Sequence, residues 1–107
     1  MSISLGTTAI RGSSKDITAI FRMRGTATTV TDRDLTLVDP SSHVITVYDP
    51  SGNVDNTYTS PTKISTGYYY QSIIFSSSCQ LGYWKVKWAA TYSGNTWPAT
   101  VLIKVID

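Results

Sequence analysis

The strongest constraint on the fold is a two-residue period. In Leu81-Gly82-Tyr83-Trp84-Lys85-Val86-Lys87-Trp88, the side chains of Trp84, Val86 and Trp88 fall on one side of an extended chain. Those of Tyr83, Lys85 and Lys87 fall on the other. Such alternation belongs to a strand with one face buried and one in water. It recurs along the chain. Ile17, Ala19, Phe21 and Met23 alternate with Thr18, Ile20, Arg22 and Arg24. Tyr69, Gln71, Ile73 and Phe75 alternate with Tyr68, Tyr70, Ser72 and Ile74, and Ala99, Val101, Ile103 and Val105 define one face of a last strand from Trp97 to Ile106. Between these runs stand turn formers. Asp49-Pro50-Ser51-Gly52-Asn53 ends a strand over His43 to Asp49, and Ser93-Gly94-Asn95 marks a hairpin. Short strands are also expected at Leu35 to Asp39, Val54 to Tyr58 and Lys63 to Thr66. About seven strands separated by turn signals predict an antiparallel β-sandwich.

Composition agrees. Glutamate is absent, while Ser and Thr together number 30 of 107 residues, so good helix formers are scarce. One domain is expected, with residues 15–107 forming the sandwich. Residues 1–14, with Ile3, Leu5 and Ile10, read as a flexible arm or a first strand. Thr26 to Asp34 reads as a loop with room for a short strand. The net charge of +2 argues against a dedicated nucleic-acid binder. No apolar run approaches the ~20 residues of a membrane span. The first residues lack the apolar core of a signal peptide, so synthesis in the cytoplasm without a signal is expected. Cys79 is the single cysteine and has no partner for an internal disulfide, which fits a reducing compartment.

Three phrases carry a family resemblance. Val44-Ile45-Thr46-Val47-Tyr48-Asp49-Pro50-Ser51-Gly52-Asn53, Thr66-Gly67-Tyr68-Tyr69-Tyr70, and Leu81 to Trp88 resemble, in this order, stretches of bacterial, phage and archaeal immunoglobulin-like domains. With the strand Asp16 to Arg24, the resemblance covers residues 15 to 106. It implies an immunoglobulin-like sandwich, as found in cell-surface proteins and in small stand-alone virion proteins. Unlike antibody domains, this chain lacks the paired inter-sheet cysteines, so its core is expected to close by packing alone.

Few residues offer reaction chemistry. His43 is the single imidazole, and a nucleophilic site would need it to meet a Ser or Cys and an orienting acid. The expectation is a strand-edge histidine and a loop cysteine. Asp32, Asp34 and Asp39, and Asp49, Asn53 and Asp55, raise the question of calcium. Neither group has the spacing that gathers about six to eight oxygens, so these residues read as turn caps. No metal or other cofactor is expected.

Apolar residues on strand faces that should meet water are more informative. Ile20, Tyr68, Tyr70, Ile74, Leu102 and Ile106 lie opposite buried positions, and a lone sandwich normally keeps that side polar. Together with Ile3, Leu5 and Trp97, they are the interface candidates. Arg22, Arg24, Arg33, Lys63, Lys85, Lys87 and Lys104 sit on separate strands and read as solvated faces or inter-subunit ion pairs. The expected function is non-enzymatic: a small phage or viral virion component, such as a capsid decoration, head–tail connector or tail protein. It would assemble with itself or other virion proteins through its sheet faces and N-terminal arm. One alternative is a carbohydrate-binding module with Tyr68, Tyr70 and Trp97 as platforms. Another is a subunit of an extracellular filament or surface layer.

Overall fold

The computed structural model describes residues 2–3, 8–24 and 35–107, and these are all β. Eleven strands follow in order: β1 Ser2–Ile3, β2 Thr8–Ile10, β3 Ser14–Ile20, β4 Arg22–Arg24, β5 Leu35–Leu37, β6 Ser42–Tyr48, β7 Val54–Tyr58, β8 Thr62–Ser65, β9 Tyr68–Ile74, β10 Gly82–Tyr92 and β11 Asn95–Ile106. One sheet runs β1-β3-β9-β8 and the other β2-β11-β10-β6-β7, with β4 and β5 forming a separate ribbon. The chain crosses between the two large sheets after β1, after β2, after β7 and after β9, and it passes from β3 to β6 through the β4–β5 ribbon. With its first strand divided between the sheets, this is an immunoglobulin-like β-sandwich whose second sheet carries an extra edge strand, β7. Ser2–Ile3 pairs antiparallel with β3, and Thr8–Ile10 pairs parallel with the end of β11. Both segments are therefore held in the chain's own sheets rather than offered as free strands.

The core follows the two-residue period. Ile17, Ala19 and Phe21 from the first strand run, Tyr69, Ile73 and Phe75 from β9 and its end, Ile45 and Val47 from β6, Trp84, Val86, Trp88 and Ala90 from β10, and Val101, Ile103 and Val105 from β11 are all buried. No disulfide closes the sheets, since Cys79 is a free thiol. Large rings supply the inter-sheet contact instead. Trp88 is fully buried with its ring edge-on to Phe21, and Trp84 packs edge-on to Phe75 at 5.3 Å. Full burial of such side chains stabilises by about 1.5–3 kcal/mol each.

Turns and edges are set locally. Asp49 Oδ1 accepts the backbone N–H groups of Ser51 and Asn53, which fixes the Pro50–Gly52 turn. The β10–β11 hairpin turns on Ser93 and Gly94, both at positive φ, as a two-residue turn that matches strand twist requires. Pro98 lies within β11 opposite Ala89, where among the described residues β11 has a neighbour on one side only. Its missing N–H therefore breaks no ladder.

Candidate functional site

His43 is not at a solvent edge. It is 8% exposed, on the inner side of β6, and its Nδ1 accepts the Trp88 indole N–H at 3.1 Å. Accepting there fixes the neutral tautomer. Its ring also meets Tyr69 at 4.6 Å and Phe21 at 5.5 Å. Burial holds its pKa below 6.5, against a smaller upward pull from Asp39. His43 does stand at the start of β6, as a strand-edge histidine would, but the alternation of Ile45 and Val47 continued back two residues turns its side chain inward.

Beside this ring cluster, Asp39 closes one end of the sandwich. It accepts the Lys63 ammonium at 2.7 Å, the Gly67 N–H at 2.9 Å and the Tyr69 hydroxyl at 3.0 Å. The Lys63 bond, then the Gly67 bond, hold its carboxyl below the usual value. Burial, with the bond to Asp39, pushes the Tyr69 hydroxyl up to about 12. Gly67 carries a positive φ of 78°, its carbonyl accepts the Phe21 N–H, and the Phe21 carbonyl accepts the Val38 N–H. Asp39, Lys63, Gly67, Tyr69, Phe21 and Val38 thus bond one another across this corner, which ties the first sheet to the segment before β6.

Cys79 is half-buried in the loop after β9. It lines an open cleft of about 270 Å³ with Asp55, Asn56, Tyr58, Ile74, Ser76 and Trp84, and His43 is not in that wall. Among the described residues, no three His, Cys, Asp or Glu side chains converge as metal ligands. Asp32 and Asp34 lie outside the described residues.

Six of the interface candidates, Ile20, Tyr68, Tyr70, Ile74, Leu102 and Ile106, divide between the two outer faces. On the first sheet, Ile20 stands across from Tyr68, Thr18 from Tyr70, and Ser14 from Ile74. Thr62 of β8 extends the Tyr70 row. Ile74 is 67% exposed, while Ile20, Tyr68 and Tyr70 are half-buried. Asp16, hydrogen-bonded by Ser72, is the one charged side chain among these strand positions, and Arg22 reaches the Tyr68 hydroxyl at the end of the face. Leu102 and Ile106 are exposed on the second sheet. Trp97 pairs with Ala90 there, packs against the core and stacks on Tyr92 at 5.7 Å. The structure therefore places Trp97 on a different sheet from Tyr68 and Tyr70. The side chains of Ile3 and Leu5 lie outside the described residues.

Two further features escape a strand-by-strand reading. Ile10, Val44, Val54, Ile64, Leu81 and Tyr83 are also exposed large apolar side chains. Lys85 and Lys87 of one strand and Lys104 of another, expected as solvated faces or inter-subunit ion pairs, share one patch because β10 and β11 are neighbours.

No protein-family model matches the chain, and no curated protein matches it significantly. Among solved structures it is similar to the twitchin kinase region from C. elegans (Fn31-NL-kin-CRD-Ig26), at 16% identity and a TM-score of 0.49. That match covers 95% of this chain and 15% of the other, so the chain spans a small fraction of its neighbour.

Proposed function

We propose that this chain is a non-enzymatic structural protein, a small virion component of the phage or viral immunoglobulin-like kind. It assembles by burying the outer face of β3, β9 and β8. The observation that carries this reading is the surface formed by Ile20, Tyr68, Tyr70 and Ile74, with Asp16 as the one charged strand position among them. Water gains little from such a face, and a partner that covers it recovers apolar burial and aromatic contact. The virion setting rests on the resemblance of the three sequence phrases. The docking role rests on the face.

Analytical ultracentrifugation of the full chain across a concentration series tests it, with Tyr70→Asp and Ile74→Asp as variants. The wild type is expected to associate, or to co-sediment with the particles from which it is purified, and Tyr70→Asp to abolish this while its melting stays cooperative. A wild type that stays monomeric at its highest attainable concentration and leaves those particles on washing would overturn the proposal. So would association unchanged by either variant.

A further inference from the structure

The outer face of β6, β10 and β11 carries charge of one sign. Lys85 and Lys87 of β10 and Lys104 of β11 are all exposed. Register sets apolar groups between them: Leu102 is across from Lys85, Lys85 from Tyr48, and Tyr48 from Val54. Val44 lies across from Ala89, two positions beyond Lys87. Among the described residues no carboxylate is placed between these lysines. Asp39 holds Lys63, Asp107 holds Arg11, Asp49 caps its turn, Asp16 is on the opposite sheet, and Asp55 lines the cleft. The three ammonium groups thus repel one another with no acid inside the patch, around exposed aliphatic side chains.

We propose that this face docks an acidic protein surface, whose carboxylates meet Lys85, Lys87 and Lys104 while an apolar contact covers Leu102, Val54 and Val44. Opposite charge around an apolar centre is how protein interfaces gain both rate and affinity. The observations disfavour a nucleic acid. Base stacking needs open rings, whereas the Lys85 ammonium lies over the Tyr48 ring at 4.7 Å and the Lys104 ammonium faces the Tyr83 ring at 5.9 Å. A second copy meeting this face symmetrically would set lysine against lysine. The proposal is independent of the aromatic face on the opposite sheet.

The test is fluorescence anisotropy with the full chain and three labelled probes of matched length: a random Glu–Tyr copolymer, poly-glutamate, and a single-stranded oligo-dT. Titrations at low and physiological salt separate contact from long-range attraction. The Glu–Tyr copolymer is expected to bind more tightly than poly-glutamate. The Lys85→Glu/Lys87→Glu double variant should weaken binding by about tenfold or more, as reversal of facing charges predicts. Leu102→Thr, which keeps every charge, should weaken it several-fold, and Ile74→Ser on the other sheet should leave it unchanged. Should the double variant fail to melt cooperatively, Lys104→Gln takes its place with a smaller loss expected. Absence of copolymer binding, tighter binding of oligo-dT, or indifference to Leu102→Thr would each overturn the proposal. Because the Tyr70→Asp sedimentation result does not involve these residues, failure here leaves the assembly reading separately judged.

Discussion

Replacing Gly67 by alanine tests the idea that one corner latches the two sheets. Gly67 sits at a φ of 78°, which costs an L-residue about 1–2 kcal/mol. A Cβ there would also lie 2.9 Å from the Phe21 carbonyl oxygen and 3.0 Å from Leu37 Cβ. The first neighbour is backbone, fixed by the bond from Val38 N–H to that carbonyl, so it cannot swing away. Overpacking of this kind adds about 1–3 kcal/mol. The expected loss is therefore roughly 2–5 kcal/mol, or a fall in Tm of roughly 10–20 °C for a domain of this size. Gly52 supplies the control. Its φ is 89°, yet an added Cβ meets nothing within 4 Å, so Gly52→Ala should cost only the strain, about 1–2 kcal/mol. Both variants are measured by thermal melting followed by circular dichroism and by urea titration. If Gly67→Ala melts within about 2 °C of Gly52→Ala, the clash is absorbed and the latch argument is refuted.

Other outcomes follow from the same geometry. Acid should weaken the fold in two stages. His43 is favoured neutral in the fold, so the unfolded chain takes its proton first, and stability should fall as pH drops below 6.5 and level off once folded His43 is protonated. His43→Gln should remove that slope in Tm between neutral pH and pH about 5, as the His43 titration requires. The Asp39 carboxyl contributes stability that is complete above 3.8 and is lost below it as the carboxyl protonates in the fold, and Asp39→Asn should blunt this second stage in acid melts. Trp88→Ala removes a fully buried indole and the donor to His43, and should cost about 3–5 kcal/mol in urea titrations. Ile74→Asp changes a side chain that is 67% exposed, and should shift monomer stability by no more than about 0.5 kcal/mol even where it alters assembly.

The inside of this protein was legible from sequence alone. Whether Trp84, Val86 and Trp88 face in or out depends on successive peptide units, and the two-residue period reports it without knowledge of any partner. Turns at Asp49–Asn53 and Ser93–Gly94 were legible for the same reason, because glycine's φ and the Asp49 cap act within a few residues. The outside was not. Lys104 gains meaning only when register sets it beside Tyr83, and Trp97 leaves the company of Tyr68 and Tyr70 only when β11 and β9 enter different sheets. His43 and Asp39 likewise meet Trp88, Lys63 and Tyr69 across long stretches of chain. Local steric and hydrophobic rules thus determine which face of each strand is buried. Which strands become neighbours, and so which exposed side chains form one surface, is decided by non-local pairing that a single sequence does not print.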